Sequence, residues 1–414
     1  MLHSKSQLAL LAATLLISPL GMAADPDKTG MTLWLDAADS NTLFTNKTCT
    51  GAKSIKSGDV SCWKDKSGKK NDVVVASNAL SPPKLLGNDQ NNKAVVDFNQ
   101  TALITKDKDQ IKTNSSYTKF VVFKLDNEDG NKDVDKLSKH NLIGSDPYQT
   151  TLWADNGMLH SQHKNSTTNY LDSKRKLGIA EYHIAVTRYS KPDYNPAKPN
   201  DAVSNILNLD GEREAGNFDE AKHTAARTSI GGVGTYGTGE NYFYLDGKIA
   251  EAIVYNRSLT NAEIATTEKY LAKKWKLDLG QNITFDKPKN QVKGNPAIQL
   301  HAISSSGMKV VFTSKTLGIC KISKDSSEYV TLDAIGTCKI EANAAKSKDG
   351  TYPKATPVVQ SFEIKTVKDT TTEEPNKTPP GSNGGSKKSG GSTLPFGLAL
   401  LGLVGLIRRK LLVK

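Results

Sequence analysis

The sequence lacks the strings that announce common catalytic machinery. There is no His-Glu-x-x-His helix for zinc, no Gly-x-Ser-x-Gly elbow for a serine nucleophile, and no glycine-rich loop after a strand to cradle phosphate. Cysteine is scarce, four in 414 residues, and neither candidate pair has short metal-ligand spacing or a histidine close by. A continuous basic track is missing too. The formal net charge is +12, of which Lys5 and the four cations Arg408, Arg409, Lys410 and Lys414 belong to the chain ends, leaving +7 for residues 24–390. Lysines there alternate with acids, as in Lys64-Asp65-Lys66 and Lys132-Asp133, which excludes the electrostatic footprint of a nucleic-acid binder. Attraction to anionic polysaccharide or lipid headgroups stays open beside a plain solvated surface.

What is present begins with the two ends. Lys5 precedes an apolar run from Leu8 to Leu20, and Gly21-Met22-Ala23 offers the small residues a signal peptidase reads. Residues 1–23 are therefore expected to be a secretory signal, cut after Ala23 or Ala24. Exported chains meet oxidising conditions, so Cys49 with Cys62 and Cys320 with Cys338 are expected to form two local disulfides, each within one domain. At the other end Gly390, Gly391 and Ser392 precede an apolar helix over 394–407, followed by Arg408, Arg409 and Lys410. About 14 apolar residues make ~21 Å of helix against a bilayer core of ~30 Å, so a permanent span is marginal. The basic cluster would stay on the cytoplasmic side, with the rest of the chain outside.

The tail, 390–414, resembles the GlyGly-CTERM sorting signal of Gram-negative bacteria. The resemblance implies cutting near the glycine pair by a rhombosortase-type intramembrane protease and exit by the type II secretion machinery, then a place at the cell surface or in the medium. Leu411 to Lys414 extend past the point where such tails usually stop, and a plain single-span anchor is the competing reading. The preceding segment, 366–391, is rich in Thr, Pro, Gly, Ser and Lys without one aromatic residue; it cannot bury a core and reads as a disordered tether.

The body reads as all-β. Residues 29–279 carry short β runs separated by turn clusters, clearest at Met31 to Leu35, Ala94 to Phe98, Lys119 to Leu125, Tyr182 to Tyr189, Ser204 to Leu209 and Tyr242 to Tyr255. Their number and spacing predict a large antiparallel sandwich. One helix follows: Thr260 and Glu263 form a capping box, and Ile264, Leu271 and Trp275 share the face that packs on the sandwich. Residues 282–365 alternate through Ile283 to Phe285, Ile298 to Leu300, Val310 to Thr313, Val330 to Leu332 and Ser361 to Ile364, which suits a small immunoglobulin-like sandwich.

Trp34-Leu35-Asp36-Ala37, Trp63-Lys64-Asp65-Lys66-Ser67-Gly68, Asn71-Asp72, Val96-Asp97-Phe98 and the closing stretch from Asp246 to Thr260 resemble concanavalin A-like, LamG-type jelly-roll modules of bacterial surface proteins. Gln281 to Phe285, Gly318 to Ile322 and Ala334 to Ile340 resemble bacterial Ig-like repeats, which often carry a cysteine pair where Cys320 and Cys338 stand. Together the resemblances imply a displayed binding or adhesion protein for glycan or protein ligands, without catalysis. The rival is a divergent glycoside hydrolase of the jelly-roll glucanase type, whose Glu-x-Asp-x-x-Glu strand is absent here.

Residue by residue, the sites stay open. Asp126, Glu128, Asp129, Asp133 and Asp135 supply oxygens suited to Ca²⁺, but an EF-hand alignment places Leu125 and Lys136 at its ends and fails; a plain acidic loop competes. Glu251, the odd member of an apolar strand face shared with Ile249, Ile253 and Tyr255, is either buried and paired, with Arg257 a conceivable partner, or turned to a ligand cleft. His160 and His163 fall on opposite faces of a strand, poor geometry for one metal, and read as surface residues. Tyr148, Trp153, Tyr170, Tyr189, Tyr194 and Tyr236 are candidate sugar-stacking rings, and Asp133, Asp135, Asp219 and Glu220 read as solvated.

Overall fold

The computed structural model describes residues 25–366 apart from 78, 80, 109, 128–138, 147–148, 165–169, 192–204, 217–222 and 233–242. The signal segment, the tether, the sorting tail with its 394–407 helix, Glu128, Asp129, Asp133, Asp135, Tyr148, Tyr194, Tyr236, Asp219 and Glu220 lie outside the described residues. Among the described residues no helix is long and apolar enough to cross a membrane.

The chain folds as antiparallel β-sandwich, as its alternating pattern predicts. An eight-stranded sheet has the order Glu212–Gly216, Asn205–Leu209, Tyr182–Tyr189, Tyr117–Leu125, Asp246–Tyr255, Val95–Asn99, Lys84–Leu86, with Met31–Asp36 also paired to Asp246–Tyr255. A nine-stranded sheet runs Tyr170–Asp172, Met158–His163, Thr150–Asp155, His140–Asp146, Arg227–Ile230, Leu103–Thr105, Val73–Val75, Cys62–Trp63, Leu43–Phe44. Between them lies the main core, to which one strand contributes Tyr117, Val121, Phe123 and Leu125 while the facing sheet contributes Ile143, Leu152, Leu159 and Ile230.

The even positions of the same strand, Phe120 and Val122, point the other way and meet the helix Asn261–Trp275. That strand is buried on both faces, hence its nearly continuous apolar text. Thr260 caps the helix as expected, accepting from the Glu263 amide while the Glu263 carboxylate accepts from the Thr260 amide. Ile264, Leu271 and Trp275 then seal the outer face of the eight-stranded sheet against Trp34, Phe120 and Ile253.

A β-bulge at Ala250 corrects one expectation. Ile249 pairs with Phe123 and Glu251 with Val122, so the extra residue sends Ile249 into the main core while Glu251, Ile253 and Tyr255 face the helix. The predicted strand from Tyr242 also begins later, at Asp246.

Residues 283–365 form three small sheets around Phe285, Phe312, Val330, Ile340 and Phe362. They belong to the same compact unit as the large sandwich. The two parts are joined by buried polar bonds: Arg213 donates to Asn208 Oδ1 and the Ser305 carbonyl (3.1 Å each), and Glu268 accepts from Asn208 (2.9 Å) and the Tyr352 hydroxyl (3.2 Å). Burial raises the Glu268 carboxyl to about 7. Cys49–Cys62 and Cys320–Cys338 are both disulfides.

Candidate functional site

The two outer faces of the large sandwich carry polar groups of opposite character. Under the helix, Glu251 is fully buried and accepts from Trp34 Nε1 (2.7 Å), Trp275 Nε1 (2.7 Å), Tyr270 Oη (2.9 Å) and Lys274 Nζ (2.7 Å). Lys274 also pairs with Asp36 at 2.7 Å, and Lys66 reaches the other Asp36 oxygen at 2.7 Å. Burial pushes the Glu251 carboxyl up against the pull of Lys274. Its partner is thus Lys274 and two indoles; Arg257 instead pairs with Glu263 at 2.7 Å. Four donors on one carboxylate leave no lone pair for a ligand, so this hub is structural.

The Trp34 and Trp63 motifs serve the same region. Asp65 accepts from the amides of Trp34 (2.9 Å), Ser67 (2.8 Å) and Asn71 (3.0 Å), and Asn71 Nδ2 donates to the Thr32 carbonyl (2.6 Å). Those carboxyl and amide groups stitch the loop after Trp63 to the first strand. They do not converge on open space.

The outer face of the nine-stranded sheet is different. Strand alternation sends Leu152 and Ala154 inward and Thr151 and Trp153 outward, and pairing places Asn141 and His160 on either side of Trp153. Farther along the same face stand Gly144 opposite Ser229 and Asp146 opposite Arg227. Five side-chain atoms here are buried without a hydrogen-bond partner among the described residues: Trp153 Nε1, Asn141 Oδ1, Thr151 Oγ1, Ser229 Oγ and Arg227 Nε. Other such atoms among the described residues, Trp63 Nε1 and Gln110 Nε2 for example, belong to other parts of the fold. Each unpaired buried polar group costs about 1–3 kcal/mol, so several on one face demand a reason.

Order on this face comes from the pairs that are made. Asn141 Nδ2 donates to the Gly232 carbonyl (2.9 Å), which fixes the amide and leaves Oδ1 as the free acceptor. His160 stacks on Trp153 at 5.2 Å between centroids and 18° between planes, and its Nδ1 meets Asp172 at 2.5 Å. Arg227 is ion-paired through Nη2 with Asp146. The face opens toward the edge strand, where Tyr170 is 45 % exposed.

Of the candidate rings, the structure brings Trp153 and Tyr170 to this one face, and turns Tyr189 inward to stack with His163 and Tyr117. His160 and His163 do lie on opposite faces, but His163 is fully buried, which corrects its reading as a surface residue. Its burial follows from an inward strand position opposite Thr150. Asp126, the described member of the acidic run, is bound by Lys248 at 2.6 Å, so a lysine ammonium already occupies that carboxylate. Asp72 is the only acid grouped with Cys49 and Cys62 among the described residues, and both sulfurs are committed to their disulfide. Asn141, Thr151, Ser229 and Arg227 were not legible as site residues; the alternation of Thr150 to Asp155 was the signal available for Thr151.

No family model and no curated protein matches the chain. Among solved structures it is similar to a Trypanosoma rangeli sialidase mutant displaying trans-sialidase activity, with TM-score 0.36 and 15 % identity over 61 % of this chain and 34 % of that one. It thus spans about a third of that sialidase's length. It is also similar to the binding domain of botulinum neurotoxin DC, solved in complex with SialylT (TM-score 0.34, 11 % identity, 78 % of this chain and 72 % of that one) and with rat synaptotagmin II (TM-score 0.34, 10 % identity, 77 % and 72 %).

Proposed function

We propose that this is an exported, surface-displayed recognition protein whose outer nine-stranded face binds glycan, without catalysis. One observation carries the reading: an indole N–H, an amide oxygen, two hydroxyls and an arginine Nε on one sheet face are buried without a hydrogen-bond partner among the described residues. Sugars present dense hydroxyls and flat apolar faces, which such a set would satisfy by hydrogen bonds and stacking. A protein ligand is the neighbouring possibility on the same face. The hydrolase reading is disfavoured because Asp146 and Asp172 on this face are each engaged, by Arg227 and His160.

In this reading residues 29–279 are the jelly-roll binding module, 282–365 an Ig-like spacer, and 366–391 the tether. Residues 1–23 direct export through signal peptidase, and the 390–414 tail addresses the chain to a rhombosortase-type protease and type II secretion. The order of a short apolar run and a basic cluster after Gly390-Gly391-Ser392 supports this. Mass spectrometry of the mature protein tests it: loss of residues beyond the glycine pair is expected, and an intact Lys414 overturns it. For the binding module, a glycan array paired with a reducing-sugar assay is expected to show saturable binding with no new reducing ends. Turnover that disappears on substituting Asp146 or Asp172 would establish the hydrolase instead.

A further inference from the structure

The small sheets of residues 283–365 leave a strand edge uncovered. Their four-stranded member runs Gln291–Val292, Val358–Lys365, Gly336–Ala344, Val310–Ser314, so Val310–Ser314 is a terminal strand. The Lys315 amide donates to the Lys339 carbonyl (2.9 Å), and antiparallel alternation then directs Val311 and Thr313 to that same neighbouring strand. The backbone N–H and C=O of Val310 and Phe312 therefore turn to the other side. These groups have no partner among the described residues. Ser314, next in the series, is covered: its hydroxyl donates to the Cys320 carbonyl (2.7 Å).

Beside the open part of this edge lies a groove of about 390 Å³. It is lined by Lys309, Val310 and Phe312, by Leu300 and Ala302, and by the helix start at 260–262. Leu300 and Phe312 belong to the small core, so the groove reaches apolar atoms. Ala302 adds outward backbone groups of its own. Asp286 donates to the His301 carbonyl (3.0 Å) and Ser305 to the Asn282 carbonyl (2.9 Å), which turns Ala302 away from Ile283–Phe285. An unpaired edge beside a groove with an apolar lining suits an extended peptide, whose backbone bonds to the edge while a side chain enters the groove.

Charge selects the occupant. Among the lining residues Lys309 and His301 stand against a single acid, Glu328, and the helix start contributes its positive end. Lys315 is already paired with Glu341 at 3.0 Å, whereas Lys309 has no ion-pair partner among the described residues. A second copy of the same strand is a poor fit. Antiparallel pairing centred on Phe312 would set Lys309 of each copy opposite another lysine, Lys315, at both ends.

We propose that the 310–312 edge receives an extended acidic peptide segment of another protein, its backbone continuing the four-stranded sheet, one apolar side chain in the groove and a carboxylate at Lys309. The site is separate from the sheet face read as glycan-binding, and neither reading depends on the other.

Fluorescence anisotropy on the folded full chain tests this with two dye-labelled heptapeptides, Glu-Thr-Val-Thr-Val-Thr-Glu and Lys-Thr-Val-Thr-Val-Thr-Lys. The acidic one is expected to bind at least about tenfold more tightly, and less so as salt rises. Lys309→Glu is expected to reverse that preference. Val310→Pro removes an outward N–H and spares the ladder to Gly336–Ala344, so it should weaken the acidic peptide at least about tenfold. Equal affinity for the two peptides, binding of neither, or full affinity in a cooperatively folded Val310→Pro overturns the proposal. Should Val310→Pro fail to fold, the acidic peptide N-methylated at odd or at even positions makes the same cut from the ligand side. One pattern is expected to abolish binding and the other to spare it; equal binding of both is equally fatal. Sedimentation showing a dimer that Lys309→Glu or Val310→Pro disperses would assign the edge to a second copy instead.

Discussion

Two tryptophans on the outer faces of one sandwich have opposite fates. Trp275, with Trp34, gives its indole N–H to Glu251 under the helix; the N–H of Trp153, on the other sheet, has no partner among the described residues. Both rings are buried, at 0 % and 8 % exposure, so burial alone does not separate them. Completion of the hydrogen bonds does. A saturated buried network fixes a fold, whereas an unsaturated one retains a cost that a ligand can relieve.

The widest separation of the two faces comes from removing the carboxylate. Glu251→Ala leaves the Lys274 ammonium, two indoles and a phenol without their shared acceptor, and about 3–5 kcal/mol of stability is expected to go with it. Urea denaturation reads this. A loss below about 1 kcal/mol would mean that Asp36 alone holds Lys274 and that the hub is not structural in the sense argued here.

The layer between the sheets gives the next largest effect, and its sign depends on pH. Lys119 is fully buried and donates only to the Thr150 carbonyl and hydroxyl; burial lowers its ammonium to about 7. Unfolded, a lysine keeps its proton to about 10.4. Between those values the unfolded chain binds more protons, so stability rises with pH by up to about 1.4 kcal/mol per unit, and below 7 the full penalty applies. Lys119→Met is therefore expected to stabilise most at pH 6–7 and least near pH 10. Equal gains at pH 6 and pH 10 would show that Lys119 is not titrating in this window.

The same two sheets differ in how far their sequence betrays them. Strands of the eight-stranded sheet, such as Tyr117–Leu125 and Tyr182–Tyr189, are long, buried on both faces and rich in apolar residues, and both are legible within two residues of their ends. In the nine-stranded sheet His140–Asp146, Thr150–Asp155 and Arg227–Ile230 are hard to read, because inward positions such as His140, Ser145, Thr150 and Thr228 are polar while Trp153 faces outward, which blurs the alternation. Glu251 was legible as anomalous from its strand, but its partner Lys274 lies one helix away, and no spacing rule connects them. The bulge at Ala250 was likewise invisible, since only pairing with Phe123 and Val122 reveals the extra residue.

On the outer face of the nine-stranded sheet, removal of a polar atom is expected to act in the opposite sense on stability. Thr151→Val deletes a hydroxyl that has no partner among the described residues, at nearly the same volume, so the folded protein should lose nothing or gain a few tenths of a kcal/mol. Ligand affinity, in contrast, should fall about tenfold, or about 1.4 kcal/mol, for Thr151→Val. Thermal unfolding and calorimetry on the same samples separate the two quantities. Stability losses on the scale of Glu251→Ala would place this hydroxyl in a hidden network and erase the contrast between the faces.

The smallest expected effect tests what keeps the closed face closed. Thr260 caps the helix through a single 3.2 Å bond to the Glu263 amide, at an exposed position away from Glu251. Thr260→Ala should cost about 1 kcal/mol through the cap alone. Because Leu271 and Trp275 anchor the helix on the sheet independently of its first turn, hydrogen exchange should quicken at the first-turn amides but not at the Trp275 indole. If the indole exchanges faster as well, the hub and the cap unfold as one unit. The helix would then act as a hinged cover, and the two outer faces would differ only in degree.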